Sequence, residues 1–129
     1  GVVAKVQVVI PLPLNPIRQL HRGYNQAELL AHETARLIDR PLNTRALMRV
    51  TETERQALLS TAQRKGNVAG VFAVRSGRES DIAGKRVLLV DDVMTTGATL
   101  AAAARCLKKA GSKGIYGALA ARATTDAGA

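Results

Sequence analysis

A chain of 129 residues with 19 Lys and Arg against 10 Asp and Glu carries a net charge of +9, is 47% hydrophobic and only 2% aromatic. That length supports one domain, 1–129, with a core of its own and no need of disulfide or metal staples. The single Cys106 excludes an internal disulfide or a multi-cysteine zinc site and suits a reducing, cytoplasmic compartment.

The first residues, Gly1-Val2-Val3, show no initiator Met, signal peptide or transit sequence, as expected of a piece of a longer protein. Val6 to Ile10 is rich in β-branched residues and predicts a buried strand, ended by Pro11, Pro13 and Pro16, which disfavour ladder and helix alike. Asn25 with Glu28 resembles a capping box, and Ala27, Leu30, Ala31, Thr34 and Ile38 recur at helical spacing, so a helix is predicted from about Gln26 to Asp39. A short strand is expected within Arg45 to Val50, a mobile loop with some helical turn over Thr51 to Asn67, a strand over Val68 to Val74, and a turn at Ser76 to Ser80. Val87-Leu88-Leu89-Val90 is an unbroken apolar run, the pattern of a central parallel strand covered on both faces. Leu100, Ala103, Ala104 and Leu107 then share one helical face up to Gly111, and Ile115 to Leu119 supplies a last strand. Residues 123–129 are small and polar and are expected to fray. Neither long apolar run approaches the ~20 residues of a membrane span, so a soluble protein with no membrane partner is expected. The alternation of strands and helices predicts an α/β fold with a mainly parallel central sheet flanked by helices, and such sheets hold ligands at the carboxyl ends of their strands.

The junction from Asp91 to Thr99 carries the chemistry. Two carboxylates, Asp91 and Asp92, end the apolar strand, and Met94, Thr95, Thr96, Gly97, Ala98 and Thr99 lead into the next helix. Unsatisfied amides at a helix start bind phosphate, threonine hydroxyls add donors, and Gly97 permits close approach of the main chain. Carboxylates repel phosphate, so their partners are hydroxyl donors or a divalent cation. A ribose 5-phosphate presents a phosphate next to vicinal hydroxyls and fits both halves. The competing explanation is a helix cap followed by an ordinary turn, which one Asp would satisfy but which two adjacent Asp before Thr-Thr-Gly-x-Thr fit poorly. Thirteen of the nineteen basic residues are Arg, suited to phosphate and carboxylate. The scarcity of aromatics, Tyr24, Phe72 and Tyr116, counts against a single-stranded nucleic-acid reader that stacks bases.

VLLVDDVMTTGAT, Val87 to Thr99, resembles the signature of type I phosphoribosyltransferases, which bind 5-phosphoribosyl 1-diphosphate. VVIPLPLNPIRQLHRGYNQAELLA, starting at Val8, together with Gln56, Leu59, Arg64, Asn67-Val68 and Phe72, is similar to the ComF family of competence proteins, over about residues 8 to 121. The resemblance implies that Asp91 and Asp92 hold the ribose hydroxyls, that Thr95 to Thr99 cradle the 5-phosphate, and that Mg2+ enters with the ligand, with Asp91 and Asp92 as its nearest protein oxygens. The cysteine-rich zinc module that usually precedes this domain in the family has no counterpart in these residues.

In type I enzymes a loop after an early strand binds the diphosphate. Here Pro11 to Asn25 takes that place and offers Arg22, then Arg18, with Gly23 allowing a tight backbone. Each Arg has an alternative as a solvated surface charge, Asn25 and Gln26 as helix cap and first turn, and His21 as a structural residue. Thr51 to Asn67 corresponds to the loop that closes over substrate, with Arg64 and Lys65 as cations for the departing diphosphate and Arg55 behind them; solvated loop charges are the alternative. Pentosyl transfer needs no covalent nucleophile, and Cys106 is expected to pack. The acceptor-binding hood of type I enzymes is expected to be reduced or absent. The alternative to a transferase is a non-catalytic competence factor, a ligand sensor or a module contacting competence proteins or single-stranded DNA in DNA uptake. A dimer is compatible with either.

Overall fold

The computed structural model describes residues 2–13, 26–59, 68–69, 71–91 and 97–119. In chain order the elements are α1 (Val2–Lys5), β1 (Val8–Pro11), α2 (Gln26–Ile38), β2 (Leu47–Arg49), α3 (Glu52–Leu59), β3 (Val68–Ala69), β4 (Phe72–Val74), a 3-10 turn (Glu79–Asp81), β5 (Arg86–Asp91), α4 (Gly97–Lys109) and β6 (Gly114–Leu119).

β5 is the centre of a parallel sheet of order β1-β5-β6, with Val8 opposite Val87 on one side and Val87 opposite Ile115 on the other. Its pattern explains the position, since Val87, Leu89 and Val90 are wholly buried and only a strand covered on both faces places successive side chains in a core. The far edge of β1 is extended by a parallel bridge from Val9 to Leu42, where the Val9 amide donates to the Pro41 carbonyl and the Asn43 amide to the Val9 carbonyl, both at 2.9 Å. Pro11 belongs to this ladder, opposite Val90, contrary to the expectation that the prolines exclude pairing. Alternation is the reason. Val9 turns its polar groups toward Leu42, so the amide that Pro11 lacks would face the same way, and the next donor toward β5 is the Leu12 amide, 2.8 Å from the Val90 carbonyl.

Each face has its own cover. α2 lays Ala31 and Ala35 against Val6, Val9 and Val90, and with Ala27, also buried, they form a stripe of small residues four apart that lets the helix approach the sheet. α4 lays Ala103, Cys106 and Leu107 on the other face over Val8, Ile10, Leu12, Val87 and Leu89. Cys106 is fully buried and outside any disulfide, a packing residue as expected. Into the same core comes a small antiparallel sheet of order β2-β4-β3, through Leu47, Phe72 and Val74. The segment 68–74 is thus a hairpin and not one strand, because β3 and β4 pair antiparallel across the turn containing Val71.

Two further departures are local. Glu52 to Leu59 is helical and not loop-like because Thr51 and Glu54 form a capping box: the Glu54 amide donates to Thr51 Oγ1 at 3.1 Å and the Thr51 amide to Glu54 Oε1 at 2.8 Å. Both long helices end in Schellman caps. At α4 the Ser112 amide donates to the Leu107 carbonyl and the Gly111 amide to that of Lys108, with Gly111 at φ 100°. At α2 Arg40 and Asp39 make the same pair of bonds, with Asp39 holding φ 56° without being glycine. The Asn25 cap, the remainder of the predicted loop (60–67) and the frayed tail 123–129 lie outside the described residues.

Candidate functional site

The topology points to one place. From β1 the chain crosses by α2 to the Leu42 side, whereas from β5 it crosses by α4 to β6 on the opposite side. The two connections diverge between β1 and β5, and in open α/β sheets the ligand crevice lies outside the carboxyl ends of the strands at such a switch point. Those ends are Pro11-Leu12-Pro13 and Asp91.

Asp91 is 2% exposed and is the buried charged side chain among the described residues. Burying a carboxylate is costly unless its surroundings compensate, so its retention beneath the crevice marks it as more than a strand terminator. The Leu12 amide bond to Val90 brings the exit of β1 alongside this position. Downstream, α4 starts at Gly97, so the Thr-Thr-Gly-x-Thr motif runs into a helix N-terminus, where free amides and the dipole favour an anion. Thr99 sits half-buried in the first turn. The backbone of Gly97 and Ala98 is helical, while Asp92, Met94, Thr95 and Thr96 lie outside the described residues, as do Arg18, Arg22, Gly23, His21, Arg64 and Lys65. Of the predicted site, the structure therefore places Asp91 and the start of α4, joined by five residues at the end of the central strand.

Arg49 was not singled out by its sequence context. It lies on β2, opposite Phe72 in the antiparallel register, with its guanidinium carbon 4.9 Å from the centroid of that fully buried ring. Its Nε donates to the Pro13 carbonyl at 2.8 Å, so the antiparallel sheet holds the exit of β1 at the crevice. The signal, an Arg alternating with apolar residues in a short strand, is too common to identify such a role. Arg55 lies part-exposed on α3. Glu54 is held below its ordinary value by the Thr51 amide and hydroxyl bonds, a capping effect remote from ionisable chemistry. The described residues contain no group of three or more His, Cys, Asp or Glu able to hold a metal, and no helix long and apolar enough to cross a membrane.

A phosphoribosyl transferase domain model matches residues 26–127, which include Asp91 and the whole motif after it. This chain belongs to the ComF family of phosphoribosyl transferase domains. Competence protein F of Haemophilus influenzae is 38% identical to the domain over 109 residues, covering 84% of this chain and 47% of the relative. Competence protein ComFC of Bacillus subtilis is 37% identical over 111 residues, 81% of this chain and 39% of the relative. DNA utilization protein YhgH of Escherichia coli is 32% identical over 107 residues, 83% and 45%. The domain thus spans less than half the length of these relatives. No solved structure gives a significant match. The parallel sheet with helices on both faces is the type I phosphoribosyltransferase architecture expected from the motif.

Proposed function

We propose that the domain binds 5-phosphoribosyl 1-diphosphate with magnesium at the carboxyl ends of β1 and β5, and transfers the pentosyl group with release of diphosphate. The observation that carries this is Asp91, a buried carboxylate at the end of the central strand, separated by five residues from the helix that its phosphate motif opens. In this assignment Asp91 and Asp92 accept hydrogen bonds from the ribose 2- and 3-hydroxyls, and Thr95, Thr96 and Thr99 with the α4 amides receive the 5-phosphate. Displacement at C1 builds positive charge on the sugar, which neighbouring carboxylates favour, and negative charge on the leaving group, which Arg18, Arg22, Arg64 and Lys65 would receive. Asp91 offers the oxygen that a magnesium ion, a hard cation, prefers, and such an ion when bound would supply charge neutralisation for the leaving diphosphate. Arg49 would hold the exit of β1 for the diphosphate loop. The names of the relatives concern competence and DNA utilization, and a role in handling imported DNA or its nucleotides follows for this domain as part of the same proposal.

Calorimetry of the phosphoribosyl donor against the domain, with and without magnesium, tests binding. Magnesium-dependent heat that weakens in Asp91→Asn is expected, and absence of binding at millimolar donor would overturn the assignment. Release of diphosphate on addition of candidate bases separates a transferase from a ligand sensor, which would bind without turnover.

A further inference from the structure

A second concave site lies at the opposite end of the sheet. A cavity of about 370 Å³ is lined by Ala104, Arg105 and Lys108 of α4 and by residues 112–115 at the start of β6, among them Lys113. Arg105 and Lys108 are three apart on one helical face, and the turn after α4 brings Lys113 back across from them. No acidic or aromatic residue lines it. Among the described residues the three cations make no hydrogen bond or ion pair, and residues 93–125 contain five basic side chains and no Asp or Glu. The bland explanation for cations here, capping of the helix end, is already met by other groups, since the Gly111 and Ser112 amides take the carbonyls of Lys108 and Leu107. The Ser112 hydroxyl is also engaged, with the carbonyls of Lys85 and Gly114 at 2.8 and 3.0 Å. Three positive side chains without a hydrogen bond or ion pair among the described residues therefore line a cavity large enough for several phosphate groups.

We propose that this cavity is a second anion site, separate from the crevice at Asp91, that binds a multivalent phosphate. With no aromatic side chain in its lining, it recognises phosphate oxygens and not bases, so its ligand is either a free oligophosphate or the phosphodiester backbone of a strand. The inference is independent of the donor-binding proposal.

The test uses two probes, inorganic tripolyphosphate by calorimetry and a fluorescent oligodeoxythymidylate by anisotropy, against the 129-residue chain. Three proteins are compared: the wild-type chain, R105Q/K108Q/K113Q, and a control, K5Q/R36Q/R45Q, that removes equal charge from exposed positions elsewhere. The cavity variant is expected to lose about tenfold or more in affinity for at least one probe, as charge-assisted contacts to phosphate imply, with an unchanged unfolding midpoint and unchanged donor binding, while the control keeps its affinity. Loss for both probes identifies a strand backbone, and loss for tripolyphosphate alone identifies a free oligophosphate. Equal loss in the control, retained affinity in the cavity variant, or no binding of either probe to wild type at low salt would overturn the proposal.

Discussion

Among the described residues, the buried charge at the carboxyl end of the parallel sheet is one carboxylate, Asp91, whereas at the amino end Arg105, Lys108 and Lys113 stand around an open cavity. α4 contributes to both ends, yet they hold charge in opposite ways. A carboxylate at 2% exposure has surrendered its hydration, so its position is dictated by its surroundings and its selectivity comes from geometry. The cations keep access to water, so they act through number and convergence and remain open to screening. A +9 chain can therefore place an acidic group at its candidate catalytic crevice and leave much of its positive charge for another surface.

The largest expected effect removes what the two ends share. Leu89 is wholly buried in β5 under α4, and Leu89→Ala should destabilise the domain by ~2–5 kcal/mol, read by urea denaturation, with ligand binding at both ends falling together. A loss confined to one end would show that the ends are not coupled through this strand. Next, Asp91→Asn keeps the shape and removes the charge. Donor affinity should fall by about tenfold to a hundredfold, the range for a hydrogen bond to a charged group, without loss of unfolding stability, since a buried charge is also relieved. Raising salt from low to physiological levels should weaken the amino-end site more than the Asp91 site, and an equal slope at both would erase the distinction.

Smaller effects concern the helix ends that meet at the amino end of the sheet. Gly111 at φ 100° and Asp39 at φ 56° occupy the same cap position, one in its preferred residue and one not. Gly111→Ala should cost about 1–2 kcal/mol through the left-handed backbone alone, because the added Cβ would meet Ala83 only at an ordinary 3.6 Å. Asp39→Gly should raise the melting temperature modestly for the converse reason. The smallest effect is at α3. The Glu54 carboxyl is held below 4.5 in the folded state by its bonds to Thr51, so its contribution is present above that value and is lost as pH falls through the depressed one. The helical circular-dichroism difference between the wild-type chain and Glu54→Gln should therefore shrink as the pH falls through that depressed value.

The sequence legibility of these features followed their range. Val87 to Val90 read as a covered strand because four consecutive apolar residues have no other economical place, and α2 and α4 read from their spacing and from Gly111. The Thr51–Glu54 box was equally local and legible, but the polar residues around it, Arg55 and Gln56 among them, disguised a helix as a loop. The hairpin at 68–74 was misread because its two strands contribute only two and three residues, too few for alternation to declare a turn.

By itself the sequence determined the α/β class, the central strand and the phosphate motif with its acidic pair, since each depends on neighbours within about a dozen residues. Only the tertiary structure decided which strands flank β5, that Leu42 extends the sheet past β1, that Arg49 reaches Pro13 across 36 residues of chain, and that Lys113 returns to face Arg105 and Lys108. Periodicity records which face of an element is apolar. It carries no record of which other face that one will meet, and that pairing is settled by the fit of alanine stripes, branched side chains and loops of limited reach as the core closes.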